Sequence, residues 1–346
     1  MRLRSPLKEV GEDRLVARFR ELASAGLGDG ILVGPGDDAA AIRIGDKRVL
    51  LLTCDMMVEE VHFRRDWASS EQIGWKALAQ NLSDIAAMGG EPAFVVSSIA
   101  APGHTDQEVV EGIARGLIAC ASRYGATLVG GDLVGSPGPI AVDVAVTGWV
   151  EDDLLVRRSG ARPGDVVVVT GALGAAAAGL VALRRGLAEK PEAEVTRALQ
   201  AHREPQPRLA EGRAIAGARR ATAMMDVSDG LANDLPRLCA ESGVGARLYV
   251  ERIPVDPACA AVADKTSADA VALATSGGED YELLFTCPSG AIQEIAAAVS
   301  AASGSPVTVI GEIVPGDSVT LVDARGKARS LGTGFNHFAV SRTATS

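Results

Sequence analysis

The chain has 346 residues, 47% apolar but only 3% aromatic, and carries 44 acidic against 34 basic residues for a net charge of −10. That length suits two domains, and a core rich in small aliphatic residues suits helices layered on sheets. The acidic balance excludes a general affinity for nucleic acid or for an anionic membrane surface. The five cysteines (Cys54, Cys120, Cys239, Cys259, Cys287) are odd in number and scattered without CxxC spacing. This argues against a zinc site or a disulfide framework and for reduced thiols in a cytoplasmic protein. The N-terminal stretch is charged where a signal peptide needs an apolar run, and the longest apolar stretches are strand-sized.

Leu15, Phe19 and Leu22 share one face of an expected opening amphipathic helix. Strands are expected over Ala39–Ile44 and Val49–Val58, with a polar turn at Gly45–Lys47. A long helix follows from about Ser70 to Met88. Ser69 and Gln72 have capping-box spacing at its start, and Gly89-Gly90 stops it. Strand Ala93–Ala100 precedes a second helix, which opens on a Thr105/Glu108 box and closes near Tyr124-Gly125. Strands Ala126–Val129 and Ile140–Val150 complete an order of β-β-α-β-α-β-β, a mixed α/β (α+β) pattern rather than clean βαβ alternation. Charged residues at Glu151–Asp153 mark a boundary, giving domains 1–150 and 151–346. The second half opens with RRSGARPGD and strand Asp165–Thr170, followed by helical stretches Ala172–Leu183 and Glu192–Gly217. Strand Thr222–Asp226 and helix Ser228–Glu241 come next, and alternation continues to about residue 323. The tail SRTATS reads as unstructured.

Six constellations carry possible chemistry. In Gly34-Pro35-Gly36-Asp37-Asp38, glycines allow close backbone approach and paired carboxylates suit a hard cation, although an isolated GDD is also an ordinary Asx turn. Thr53-Cys54-Asp55 ends an apolar strand, where open sheets present ligands and where a loop simply begins. Asp84, in Asn81-Leu82-Ser83-Asp84, lies against the helix dipole among apolar neighbours. Either an intrahelical bridge to Lys76 or Gln80, or a bound cation, explains it. Gly130-Gly131-Asp132 follows a strand and fits a β-turn or a metal site. In Asp226-Val227-Ser228-Asp229-Gly230, Ser228 or Asp229 is a candidate N-cap, and the helix N-terminus is a candidate phosphate site. Ser276-Gly277-Gly278-Glu279-Asp280-Tyr281-Glu282 is an acidic rim before strand Leu283–Thr286, or an exposed loop.

Several alternatives lack their motifs. Gly171-Ala172-Leu173-Gly174 has no GxGxxG spacing, and there is no GxxxxGK[ST], HExxH or GxSxG. Taken together, the aspartate clusters suggest several metal ions gathered around a polyphosphate, with little need for a phosphate-binding lysine.

Read in order, GPGDDAA, TCDMMVEEVHF, KALAQNLSDIAAMGGEP, GGD, RSGARPGD, DVSDGLANDL and SGGEDYEL resemble the thiamine-monophosphate kinase family, within the wider aminoimidazole ribonucleotide synthetase-like superfamily. The resemblance covers nearly the whole chain. It implies a two-domain fold in which the N-terminal domains of two subunits pair into a shared barrel, and an ATP-dependent conversion of thiamine monophosphate to thiamine diphosphate. It also implies that Asp38, Thr53, Cys54, Asp55, Asp84, Asp132, Asp226 and Asp229 surround several Mg²⁺ ions. ATP would contact Tyr124, Gly131, Asp132, Arg158 and Ser228, while His62, Glu279 and Phe335 would meet the thiamine moiety. Phe335 suits stacking on a heteroaromatic ring, and Arg158 suits clamping phosphate oxygens. Cys54 departs from the family's usual hydroxyl residue. A thiol is a poor Mg²⁺ ligand, so contact there would use the backbone carbonyl.

Transfer would be direct and in line, with no residue required as a covalent nucleophile. The nearest rivals are another ATP-using superfamily member of the synthetase type and a non-catalytic nucleotide-binding regulator. A selenophosphate synthetase would need a cysteine before GPGDD, where only Lys8 stands, and a hydrogenase-maturation relative would end in a cysteine beyond Cys287. A regulator would be free to lose metal carboxylates, and none is missing.

Overall fold

The computed structural model describes residues 7–24, 26, 28–332 and 334. Phe335 and the tail SRTATS lie outside the described residues. The first part of the chain runs α1 (Leu7–Val10), α2 (Glu12–Ser24), β1 (Ile31–Val33), β2 (Ala40–Arg43), β3 (Arg48–Val58), α3 (Ser70–Ala87), β4 (Glu91–Ala101), α4 (Gln107–Arg123), β5 (Thr127–Gly135) and β6 (Ala141–Glu151). The rest runs β7 (Asp165–Thr170), α5 (Ala175–Arg184), α6 (Ala193–Arg203), α7 (Leu209–Gly217), β8 (Ala223–Asp226), α8 (Leu231–Ser242), β9 (Gly245–Tyr249), α9 (Pro257–Thr266), α10 (Ala270–Ser276), β10 (Leu283–Pro288), α11 (Ile292–Ser303), β11 (Val307–Val314), β12 (Val319–Val322) and β13 (Ala328–Arg329). A six-stranded sheet has the order β1-β2-β3-β6-β4-β5, and a seven-stranded one the order β13-β12-β9-β11-β7-β10-β8. Both are mixed, with β4–β5 and β9–β12 as their parallel pairs among antiparallel neighbours.

Helix α3 is the element on which both halves meet. The Ser69/Gln72 capping box forms as expected, with Ser69 Oγ accepting from Gln72 N at 3.2 Å and Gln72 Oε1 accepting from Ser69 N at 3.1 Å. Small residues then let three helices approach closely. A Cβ on Gly74 would lie 2.0 Å from the Ile113 carbonyl of α4, and one on Gly212 of α7 would lie 2.2 Å from the Ala86 carbonyl. The helix is therefore buried nearly all round, and one apolar core joins Leu78, Leu82 and Ile85 of α3 to Ile215 of α7 and Phe285 of β10. Each such side chain contributes roughly 1.5–3 kcal/mol on burial.

Several sequence expectations shift. The short strand β1 was not foreseen, because three residues are too few to show a period. The expected helix Glu192–Gly217 is two helices, α6 and α7, broken at Pro205 and Pro207. Proline lacks an amide donor and disfavours helical geometry in the residue before it. The Thr105/Glu108 box does not form: Thr105 N donates to Pro102 O in a turn, and α4 starts one residue later from Asp106. The expected strand Ala126–Val129 runs on as β5 to Gly135, so Gly130-Gly131-Asp132 is strand rather than turn. Of the expected apolar face on α2, Phe19 is 73% exposed and Leu22 59%.

Candidate active site

Strand β3 sorts its own candidates by alternation. Thr53 is buried on the face covered by α3, with Asp55 on the same side, while Cys54 points to the opposite, exposed face. Thr53 Oγ1 donates to Asp84 Oδ2 at 2.5 Å. Cys54 Sγ instead lies 3.4 Å from Asp143 Oδ1 on β6, and burial and Asp143 push its thiol up to about 11. Replacing Cys54 by Ser therefore leaves the packing of the inner face untouched. We expect Cys54→Ser to keep most of its turnover and Mg²⁺ affinity, with stability changed by less than about 0.5 kcal/mol. Titration of activity against Mg²⁺ checks this, and a collapse of turnover in the folded variant would show that the sulfur matters.

The other carboxylates arrive from separate segments. Asp37 and Asp38 lie in the loop before β2, where Asp37 accepts the Arg158 amide at 3.1 Å and Asp38 Oδ1 accepts Arg158 Nη2 at 2.5 Å. Gly36 is held at φ 129° beneath the Arg20 guanidinium, whose Nε donates to the Pro35 carbonyl at 3.1 Å. Asp226 ends β8 and accepts Ser83 Oγ at 2.6 Å. As a result Asp38, Asp84 and Asp226 each place an oxygen within 4.8 Å of the others. Ser83, which sequence reasoning quoted only as part of NLSD, orients one carboxylate while its neighbour Asp84 supplies another.

Burial first, and then neighbouring aspartates, push Asp84 and Asp226 well above the usual carboxylate range. Burial and the charges of Asp143, Asp229 and Asp38 push Asp55 up to about 6. Asp38 Oδ2 is buried with no hydrogen-bond partner. An all-oxygen donor set with an unpartnered buried oxygen and mutually repelling carboxylates fits a hard divalent cation. The alternative bridge from Asp84 to Lys76 is not what forms, because Lys76 Nζ instead pairs with Glu279 Oε1 at 2.6 Å.

Not every candidate converges on that point. Asp229 Oδ2 lies 2.6 Å from Arg237 Nη1, which also reaches Asp234 Oδ1 at 3.1 Å. Asp234 itself accepts the Asp229 amide, and burial pushes it up to about 7. Asp132 is exposed on β5 opposite Ser98 and accepts its neighbour Leu133's amide. A Cβ on Gly131 would lie 2.0 Å from the Ser97 carbonyl, so this glycine serves strand packing. Tyr124 caps α4 and donates to Gln206 Oε1 at 2.8 Å. His62 Nδ1 accepts the Val58 amide at 3.0 Å.

The glycines of the two C-terminal motifs bring loop against loop. Ser228 O accepts the Glu279 amide at 2.7 Å, and Val227 O accepts that of Tyr281 at 2.9 Å. A Cβ on Gly230 would lie 2.5 Å from the Gly277 carbonyl, and one on Gly278 the same distance from the Ser228 carbonyl. The Gly171–Gly174 turn leads into α5, whose N-terminal amides of Gly174 and Ala176 already bind the Asp280 carboxylate.

Comparison with known proteins gives this geometry its relatives. The family description AIR synthase related protein, N-terminal domain, matches residues 36–150, and its C-terminal domain counterpart matches 162–324. The thiamine-monophosphate kinase of Salmonella typhimurium is 36% identical over 303 residues, covering 88% of this chain and 90% of that protein. That of Mycobacterium tuberculosis is 38% identical over 283 residues, covering 80% and 81%. A solved structure, AaThiL complexed with AMPPCP and TMP, superposes with a TM-score of 0.84 at 32% identity, covering 97% of this chain and 99% of that one. Escherichia coli HypE, a hydrogenase maturation protein, shares the fold alone, at 18% identity and a TM-score of 0.67 over 92% of this chain and 97% of that one. Both domains match in order and the kinases align along most of their length, so the chain belongs to the thiamine-monophosphate kinase family.

Proposed function

We propose that this chain transfers the γ-phosphoryl group of ATP directly to the phosphate of thiamine monophosphate, giving thiamine diphosphate and ADP. The carrying observation is the convergence of Asp38, Asp84 and Asp226 within a chain of this family. When bound there, Mg²⁺ would neutralise the charge of the transferring phosphoryl group and align the two phosphates. Thr53 and Ser83 donate hydrogen bonds to the Asp84 and Asp226 carboxylates, and Arg158 offsets the charge of Asp38. Asp55, Asp132, Asp229 and the Cys54 carbonyl complete the proposed metal surroundings. Tyr124, Gly131, Asp132, Arg158 and Ser228 are the proposed ATP contacts, and His62, Glu279 and Phe335 the proposed thiamine contacts. Incubation with Mg-ATP and thiamine monophosphate, followed by separation of products, tests the reading. Absence of thiamine diphosphate would overturn it.

Two further parts of the reading concern assembly and setting. The outer face of the six-stranded sheet exposes Leu52, Met56, Phe94, Val96 and Val134, an apolar surface that suits pairing with the same face of a second copy. Sedimentation at micromolar concentration checks the homodimer, and a monomer would refute it. The domains are taken as 1–150 and 151–346, each with its own sheet. Among the described residues no helix is long and apolar enough to cross a membrane, and the reduced-thiol composition supports the cytoplasm.

A further inference from the structure

Lys76 sits in the middle of α3 at 3% exposure, a position where packing alone would favour Leu or Met. A buried ammonium costs several kcal/mol unless it is paired, and an ion pair in its place adds little stability over a hydrophobic side chain. Its partner is Glu279, which comes from the loop before β10 and whose backbone is held at φ 69°. For a residue with a side chain that left-handed conformation is strained, and the Glu279 amide's bond to Ser228 O helps to hold it. The second carboxylate oxygen of Glu279 lies 2.9 Å from Nδ1 of His202, which is 7% exposed on α6. One carboxylate is thus paired at one oxygen with a cation from the first half of the chain and met at the other by an imidazole from the second, in a close contact that is not aligned as a hydrogen bond.

We propose that Lys76 and His202 are positioning residues that fix the Glu279 carboxylate as an acceptor for the cationic or amino-bearing ring of the thiamine substrate. This rests on the reading of Glu279 as a thiamine contact. The Glu279 side chain remains 26% exposed and lines a cavity of about 340 Å³ with Gly171, Ala172 and Arg208. A carboxylate has about four lone-pair sites, so the Lys76 pair and the close His202 contact leave capacity for a ligand donor. Burial would push a proton onto Glu279, but Lys76 and then His202 hold it far below the usual range. Burial and Lys76 push His202 below its ordinary value. The trio therefore presents a carboxylate favoured in its ionised form and flanked from both halves of the chain.

Steady-state kinetics with Mg-ATP on Lys76→Met, His202→Leu, His202→Asn and Glu279→Ala decide the matter. Glu279→Ala, Lys76→Met and His202→Leu should each raise KM for thiamine monophosphate about tenfold or more while leaving KM for ATP within about twofold. His202→Asn should restore near-normal KM, because the Asn amide can occupy the place of the imidazole edge that meets Glu279. If Glu279→Ala raises that KM but Lys76→Met and His202→Leu do not, the positioning role is refuted and the thiamine contact stands. An unchanged KM in Glu279→Ala refutes the contact and the positioning role with it. Parallel rises in both KM values would show a structural role only, which also refutes it. Should Lys76→Met fail to fold, the two His202 variants decide alone: equal behaviour of Leu and Asn overturns the proposal.

Discussion

We expect Asp84→Asn to abolish turnover, and the metal-free variant to melt at a higher temperature than the metal-free wild type. Both effects have one cause. Asp84, Asp38 and Asp226 bring oxygens within 4.8 Å of one another, where unit charges repel by about 3 kcal/mol per pair at an effective dielectric of about 20. Burial and these neighbours hold the folded-state pKa of Asp84 above its unfolded value. A carboxylate of that kind stabilises the fold at low pH and loses that contribution as pH rises through its folded pKa. Asp55, pushed up to about 6, behaves in the same sense, so metal-free wild type weakens as pH climbs through about 6. Asparagine keeps an oxygen to accept the Thr53 hydroxyl but carries no charge. The melting temperature should rise by roughly 2 °C for each kcal/mol of repulsion removed. The same change deprives the cation of a ligand, and turnover should fall by on the order of 1,000-fold, several kcal/mol of transition-state stabilisation. Asp55→Asn should likewise lose its turnover while remaining folded. Thermal melts with and without Mg²⁺ and rate measurements at saturating Mg²⁺ check both variants. Wild-type-like activity in both would sink the multi-metal mechanism.

We expect thiamine monophosphate to be converted rapidly and free thiamine hardly at all. Direct transfer needs the acceptor oxygen in line with the γ-phosphorus, and on the proposed reading the same carboxylate cluster would hold both phosphates through its metal ions. Free thiamine gives that cluster no phosphate to anchor, and its hydroxyl ends a phosphate's length short. Misplacement of a nucleophile by about 1 Å can cost about 100-fold in rate, and this gap is larger. Initial rates with the two acceptors at equal concentration decide the point. Equal or faster turnover of free thiamine would refute the acceptor assignment.

The three carboxylates that converge were legible in the sequence as candidates because their settings are local. Gly34–Asp38 and Asp226 stand in glycine or strand-end settings and Asp84 against a helix dipole, which marked all three as candidate cation ligands, and the Ser69/Gln72 box marked the start of α3. Alternation along β3 was equally local, and once Thr53 is known to face inward, Cys54 must face away. Short or overridden elements were not legible: β1 is too brief for a period, and α6 and α7 share one apolar pattern that only their intervening prolines divide. Partnerships across long separations were out of reach altogether. Spacing placed Lys76 beside Asp84 on one helix face, yet its ammonium goes to Glu279, 203 residues on, because the loop carrying Glu279 is docked on the Ser228 backbone through glycines that admit it. Those glycines look the same in sequence whether they admit a ligand or another loop. Residue type and local spacing therefore determined which groups could bind metal and phosphate. Only the packing of α3 between the two halves decided which of them meet, since burial and repulsion depend on distances that the chain's order does not contain.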